Sequence, residues 1–366
     1  MKYISKPILL IIVFFSLAFT AFAQEDASNF IEENPDSVSV ICMEGDETVV
    51  SHLADEELTL ASSAKTIILA EYARQVALGN LDPEEEVTLS DVEQYYIAGT
   101  DGNAYPQWLT TLEADAETAT LSQIVDGMII FSTNAGADYL LSRLDSDGFS
   151  ELYEILELEN TDLPSFFLGH LLFLSNHETG ITDLDYVDTL DEETFFSEQA
   201  RLVDLFINDE AWRADELAFR DTPQGGLPDL ATQTAYFDRF STQSTANDML
   251  TVIQSAFVDS GLSEDAQDIM RGHLDWLFDV NPANAEVYEA LATKGGAYAG
   301  VLTSVWYADA IGFEPTTLVV LYHDLPVDTW QDWLTTGAHQ SLEIQTITTV
   351  EECDVFADIL PDNQSD

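Results

Sequence analysis

Runs of β-branched residues lie at both ends of this chain, and helical apolar spacing fills the long stretch between them. Near the start, residues 37–43 and 47–53 read as strands, and Glu44-Gly45-Asp46 between them predicts a hairpin. Strand patterns return near the other end, at Gly300–Tyr307, Thr317–His323 and Leu342–Val350. We therefore predict an α/β fold (an α+β sandwich) whose antiparallel sheet is built from both termini and flanked by helices.

The stretch between the terminal strands predicts an inserted all-α lobe. Apolar spacing favours helices at 62–78, 120–131, 135–144, 148–175, 198–219, 246–259, 263–279 and 283–292. A single domain over 37–366 would then have a sheet lobe (about 37–60 and 294–366) and a helical lobe (about 80–292). Residues 24–36 are polar and acidic, so we expect a disordered leader there. The segment 176–240 is the least regular, and its pattern predicts no role for it.

The first residues have the pattern of a Sec-type signal peptide. Lys2 and Lys6 precede an apolar run over 7–20, and Ala21-Phe22-Ala23 is an Ala-x-Ala cleavage site. We expect cleavage after Ala23, so that residues 1–23 are removed and the protein is extracytoplasmic, either secreted or periplasmic. After signal removal, no stretch is long and apolar enough to predict a membrane span.

Charge excludes two classes of partner. The formal net charge of −57 would repel nucleic acid and anionic lipid, so neither is an expected partner. The six histidines show no metal-ligand spacing, and no motif indicates a nucleotide or a flavin, so we expect no metal and no cofactor. In an oxidising compartment, Cys42 and Cys353 predict a disulfide between the two ends of the chain; two buried free thiols are the alternative.

After signal removal, Lys65 and Lys294 are the remaining lysines, and each lies in a short motif. Ser62 and Lys65 are three apart at the start of an apolar helix, so they share a face and the amine can reach the hydroxyl. Ser132-Thr133-Asn134 separates two predicted helices, and Lys294-Gly295-Gly296 precedes a predicted strand. Taken singly, these residues also read as a helix cap, turn residues and a solvated charge.

In this order, the three motifs resemble those of the penicillin-recognising serine hydrolases, the superfamily of class A β-lactamases and D,D-peptidases. The resemblance implies that Ser62 is the acylated nucleophile and Lys65 its base. It implies that Ser132 passes protons to the leaving group, and that Lys294 supplies a nearby positive charge.

The same resemblance implies three substrate-binding residues: Asn134, Gly296 and Ala297. Asn134 would orient Lys65 and a substrate amide. The backbone N–H groups of Ser62 and Ala297 would form the oxyanion hole.

The sequence departs from the family pattern in several places. Gly295 replaces a hydroxyl residue, and no arginine follows Arg271, which together weaken the expected recognition of a substrate carboxylate. Thr133 replaces an aspartate with a mainly structural role. The E-x-x-L-N sequence, whose glutamate activates water on the acyl-enzyme, is not found. Glu178 is the nearest candidate, in an unsuitable setting.

The sequence therefore predicts an exported serine hydrolase that transfers an acyl group to water through a Ser62 acyl-enzyme. Its substrate would be a small-molecule or peptide-like amide or ester, and β-lactam hydrolysis is one candidate activity. A D,D-peptidase or an esterase-type serine hydrolase is the alternative. A catalytically weak or inactive envelope or binding protein on the same fold is an alternative of another class. The oligomeric state is not predicted.

Overall fold

A computed structural model of the protein describes residues 26–348 and 353–361. In chain order its strands are β1 (Val38–Glu44), β2 (Glu47–His52), β3 (Leu58–Thr59), β4 (Glu86–Thr88), β5 (Thr118–Thr120), β6 (Ser175–Asn176), β7 (Gly180–Ile181), β8 (Gln243–Ser244), β9 (Tyr288–Tyr298), β10 (Val301–Ala310) and β11 (Thr316–Tyr322).

A helix over residues 26–33 is called α1. The later helices are α2 (Lys65–Ala77), α3 (Leu89–Glu93), α4 (Ala104–Leu109), α5 (Leu121–Ile130), α6 (Asn134–Leu141), α7 (Ser146–Leu156), α8 (Phe167–Leu174), α9 (Leu184–Thr189), α10 (Glu192–Asn208), α11 (Glu210–Arg220), α12 (Leu230–Phe240), α13 (Ala246–Gln254), α14 (Glu264–Leu274), α15 (Trp276–Val280), α16 (Val327–Thr336), α17 (Ala338–Thr348) and α18 (Asp354–Ala357).

The five long strands form one antiparallel sheet in the order β2-β1-β11-β10-β9. Val40 of β1 pairs with Val320 of β11, which pairs in turn with Ser304 of β10. The sheet therefore joins the first strands of the chain to its last ones. This arrangement confirms the predicted mixed fold, in which both termini build the sheet and helices flank it.

Helices cover both faces of this sheet. Neighbouring residues of a strand point to opposite faces, so one strand contacts both helical layers. On β10, the Tyr307 ring stacks at 4.0 Å on Phe257, just after α13. The adjacent Trp306 donates its indole N–H to the Glu343 carboxylate of α17, at 2.9 Å. The helical lobe thus packs on one face, while the C-terminal helices pack on the other.

Aspartate side chains cap the N-termini of five helices, so part of the large negative charge of the chain has a structural role. In each, the N-cap carboxylate accepts a hydrogen bond from a backbone N–H in the first turn, which also places negative charge at the positive end of the helix dipole. The helices are α7, α9, α10, α11 and α12, and their caps are Asp145, Asp183, Asp191, Asp209 and Asp229.

Several predicted elements were wrong. Residues 342–350 were predicted as a strand, but 342–348 belong to α17 (349–350 lie outside the described residues), whose Leu342, Thr346 and Ile347 are buried on one helix face. Residues 283–292 were predicted as a helix, but the helical part is a short 3-10 segment that ends at Glu286, and β9 begins at Tyr288. In both segments, packing against the sheet outweighs local propensity.

The predicted disordered leader was also wrong for residues 26–36. Helix α1 buries Ala27 and Ile31 completely, and the Phe30 ring packs edge-on against Trp333 at 5.3 Å. One predicted helix over 198–219 is in fact two helices, α10 and α11, because Asp209 ends the first and caps the second. The predicted signal peptide, residues 1–23, lies outside the described residues. No helix among the described residues is long and apolar enough to cross a bilayer.

The predicted disulfide is confirmed. Cys42 in the middle of β1 bonds to Cys353, and both residues are fully buried. The bond spans a sequence separation of 311 residues, so it removes much of the freedom of the unfolded chain.

We predict that the Cys42→Ser/Cys353→Ser variant is less stable by about 2–5 kcal/mol, because its unfolded state regains that freedom. Urea denaturation followed by circular dichroism measures the difference. Alkylation without reductant should leave the mass of the wild-type protein unchanged, and alkylation after reduction in denaturant should add two alkyl groups. Two added groups in the unreduced protein would rule out the bridge.

Candidate functional site

Ser62 lies in a single 3-10 turn, Ala61–Ala64, that leads into α2. Ala61 has a φ of 47°, a left-handed conformation that costs a non-glycine residue of order 1–3 kcal/mol. The surrounding structure holds this turn in place: the Leu60 carbonyl accepts hydrogen bonds from Ser63 Oγ at 2.7 Å and from Thr303 Oγ1 at 2.8 Å. Strand β10 therefore fixes the turn that presents Ser62.

Strand β9 passes so close to this turn that position 296 must be glycine. A Cβ atom on Gly296 would lie 2.5 Å from the backbone N of Ser62 and 2.6 Å from Thr303 Oγ1. At Gly295, by contrast, a Cβ would meet only the Thr303 carbonyl oxygen among the described residues, at 3.4 Å, an ordinary contact. Packing therefore requires a glycine at position 296 but would accept a Cβ atom at position 295.

The Lys65 amine is completely buried among oxygen atoms. Its Nζ lies 3.0 Å from Ser62 Oγ, 2.8 Å from the Ser132 carbonyl oxygen and 2.8 Å from Asn134 Oδ1. Ser132 Oγ is slightly farther away, at 3.2 Å. These distances bring together four of the residues named from the sequence.

Burial, and secondly the positive charge of Lys294, hold the pKa of Lys65 well below its usual value. A neutral amine has two N–H groups and one lone pair. The Ser132 carbonyl and the Asn134 amide oxygen carry no hydrogen, so they accept those two N–H groups. The lone pair of a neutral Lys65 would then be directed to the two hydroxyls beside it, Ser62 Oγ and Ser132 Oγ. General-base activation of a serine needs such a contact.

Ser132 links the two lysines. Lys294 Nζ donates to Ser132 Oγ at 3.0 Å and to the Gly295 carbonyl at 2.7 Å. Burial lowers the pKa of Lys294 to about 7, so near neutral pH its charge is set by small changes around it. Ser132 has a φ of 66°, so this residue, like Ala61 next to Ser62, has a left-handed backbone conformation.

Two residues at the site were not found by sequence reasoning. The Phe167 ring lies over Lys65, with its centroid 4.4 Å from Nζ. Asp138, fully buried on α6, accepts hydrogen bonds from the backbone N–H groups of Phe167 at 2.8 Å and Leu168 at 2.7 Å. Burial raises the pKa of Asp138 to about 7. The sequence did contain a signal for Asp138. It lies four residues after Asn134 in an apolar helix, so both residues share one face of that helix.

The other candidate residues take less direct positions. Ala297 is exposed on the edge strand β9 and pairs with Leu302. Thr133 is fully buried on the turn before α6. Glu178 accepts hydrogen bonds from Trp212 Nε1 at 2.8 Å and from Arg201 at 2.6 Å, and these partners hold its pKa below the usual range. Glu178 thus serves a local ion pair in the helical lobe.

Within the described residues, no group of three or more His, Cys, Asp or Glu side chains is arranged to hold a metal ion.

Comparison with known proteins identifies a family. A profile of the β-lactamase enzyme family matches residues 23–276. A search of curated proteins found no significant match.

Solved structures share the fold at low sequence identity. The β-lactamase from Sphaerobacter thermophilus is 15% identical, with a TM-score of 0.53 over 90% of this chain and 96% of that one. A variant of the last common ancestor of Gram-negative class A β-lactamases is 12% identical, with a TM-score of 0.52 over 88% and 97% of the two chains. At such identities the likeness concerns the fold alone.

We predict that Gly296→Ala lowers the free energy of unfolding by about 1–3 kcal/mol, because its Cβ must displace the turn that carries Ser62. Gly295→Ala, one residue earlier on the same strand, should change it by less than about 0.5 kcal/mol. Urea denaturation of the two variants measures both effects. Equal destabilisation would show that the close approach at position 296 is not the cause.

Proposed function

Because the chain belongs to the β-lactamase enzyme family, we propose that it is a serine hydrolase that works through a Ser62 acyl-enzyme. The buried Lys65 amine, 3.0 Å from Ser62 Oγ, is the observation that carries the proposal. The two hydrogen-free acceptors on Lys65 leave its lone pair for the serine proton. The ordinary reading of Ser62 as a helix cap explains none of this arrangement.

In the proposed reaction, the Ser62 hydroxyl gives its proton to Lys65 Nζ while Oγ bonds to the acyl carbon of the substrate. The resulting oxyanion is held by the backbone N–H groups of Ser62 and Ala297. The bond from the acyl carbon to the leaving group then breaks. The leaving atom takes a proton from Ser132 Oγ, which regains one from the lysines that contact it.

Hydrolysis completes the cycle. A water oxygen bonds to the acyl carbon, the bond to Ser62 Oγ breaks, and one water proton returns to Oγ. The products are a carboxylic acid and the free enzyme. Asn134 and the edge of β9 would position the acyl group during both halves of the reaction.

The arrangement of cations favours an uncharged ester or amide over a β-lactam or a D-Ala peptide, both of which carry a carboxylate. All seven arginines already bond to carboxylates or backbone carbonyls: Arg74, Arg143, Arg201, Arg213, Arg220, Arg239 and Arg271. At the site itself, Lys294 donates to Ser132 and Gly295. An esterase-type activity is therefore the preferred form of the proposal, with β-lactam or D,D-peptide hydrolysis second.

Export is part of the same proposal. The disulfide between Cys42 and Cys353 is typical of proteins that mature outside the cytosol. It supports the signal peptide that the sequence predicts for residues 1–23.

We predict that a fluorescent fluorophosphonate labels the wild-type protein and that Ser62→Ala abolishes the labelling, because Oγ is the nucleophile. Ser63→Ala is the matched control: Ser63 is the adjacent serine, and its hydroxyl donates to the Leu60 carbonyl in the core. This variant should still be labelled. Gel fluorescence and intact mass measure the result.

A fluorescent penicillin, used in parallel, separates the substrate classes. Labelling by the fluorophosphonate alone supports the esterase-type activity, and labelling by both probes supports a β-lactam or D,D-peptide substrate. Labelling by neither would overturn the enzyme proposal and favour the binding or envelope protein.

We predict that Lys294→Met shifts the acid limb of the acylation rate to higher pH. Lys65 acts as a base only when it is neutral. Loss of the neighbouring positive charge raises the pKa of Lys65, so a larger fraction of the enzyme has a protonated, inactive Lys65 at a given pH. The acylation rate at neutral pH should fall by about 10²-fold or more. Lys294→Arg keeps the charge, so its acid limb should stay near that of the wild type. Stopped-flow measurement with a neutral nitrophenyl ester checks both profiles; an unmoved limb in Lys294→Met would contradict the coupling.

A further inference from the structure

We propose that Phe167 keeps water away from Lys65, so that the Ser62 acyl-enzyme accumulates and its hydrolysis limits turnover. The inference rests on the proposed function, because it concerns the second half of the same reaction. It assigns to Phe167 the role of excluding water from Lys65, next to the acyl group that an activated water must attack during hydrolysis.

The contacts of Lys65 leave no opening for a water molecule. Oxygens of Ser62, Ser132 and Asn134 lie within 3.0 Å of Nζ, and the centroid of the Phe167 ring lies 4.4 Å from it. A water between ring and amine would need a separation of roughly 6 Å, since each of its two contacts takes about 3 Å. Lys65 is accordingly 0% exposed and Phe167 is 6% exposed.

Asp138 holds the ring in this position. Its two carboxylate oxygens accept the backbone N–H groups of Phe167 and Leu168 at the start of α8. Phe167 cannot swing outward with its backbone unless these two buried hydrogen bonds break, and each carries the desolvation cost of an unpaired buried group. Each oxygen of Asp138 accepts one of these bonds, so the whole carboxylate is committed to fixing the start of α8.

The two halves of the reaction respond differently to this cover. Acylation needs only the proton of Ser62, whose Oγ already touches Lys65. Deacylation needs a water that loses a proton as its oxygen bonds to the acyl carbon and the bond to Ser62 Oγ breaks. The amine next to that carbon lies under the Phe167 ring. The ring thus slows the second half and spares the first.

The test uses p-nitrophenyl acetate, a small neutral ester, with stopped-flow absorbance and intact mass spectrometry. The wild type should release about one nitrophenolate per enzyme in a burst, carry one acetyl group, and then turn over at least about tenfold more slowly. Removing the ring also hydrates Lys65 and raises its pKa, so the rates are compared on the high-pH plateau, where the amine is neutral in both proteins. There, Phe167→Ala should raise the slow rate by about tenfold or more and change the burst rate by less than about threefold. Phe167→Leu, which keeps most of the buried volume, should raise the slow rate less and serves if the alanine variant does not fold.

Phe166→Ala is the matched control. The Phe166 ring stacks on Tyr95, with the centroids 6.2 Å apart, whereas the ring at Lys65 is that of Phe167. This variant should keep the wild-type burst and the wild-type slow rate.

The outcomes separate the inference from the proposed function. A wild type with neither burst nor acetyl adduct would contradict the Ser62 mechanism itself. Steady hydrolysis that requires Ser62 but shows no accumulated adduct would overturn the Phe167 inference alone. An unchanged slow rate in folded Phe167→Leu and Phe167→Ala would overturn it as well.

Discussion

The burial of one lysine amine is the constraint on which the rest of the site depends. Burial disfavours the charged form of an ammonium that has no carboxylate bonded to it, so the pKa of Lys65 lies well below its usual value. The two hydrogen-free oxygens of Ser132 and Asn134 satisfy its N–H groups, and the positive charge of Lys294 disfavours a second cation. The Phe167 ring completes the dry surroundings. The burial that lowers the pKa of the amine is therefore the same burial that keeps solvent from it.

Much of this site followed from the sequence because local geometry determines it. Residues three apart on a helix share a face, so Ser62 and Lys65 were predicted to meet, and their atoms lie 3.0 Å apart. The resemblance added Ser132, Asn134 and Lys294, which the structure brings to the same amine. Their catalytic roles stay predictions until a nucleophile is labelled. The fold was predictable for a similar reason, since β-branched runs at both ends require a common sheet.

The parts that sequence reasoning missed depend on contacts between distant segments. Phe167 reads as one more apolar residue in an apolar helix, and only the position of α8 against α6 places its ring over Lys65. The sequence does not distinguish Gly295 from Gly296, although only Gly296 closely approaches the turn that carries Ser62. Helix α17 alternates like a strand in sequence, yet it buries one helical face on the sheet. In each case tertiary packing decides what local pattern leaves open.

The disulfide between Cys42 and Cys353 makes most of the chain a covalent ring. Ser62, Lys65, Lys294 and all the helices from α2 to α15 lie inside that ring. A single cut in an exposed loop, such as the one between α11 and α12, therefore yields an opened circle and not two separate fragments. Exposed loops are where proteases cut, so a molecule nicked there remains one molecule, held by the sheet and by the bond between Cys42 and Cys353.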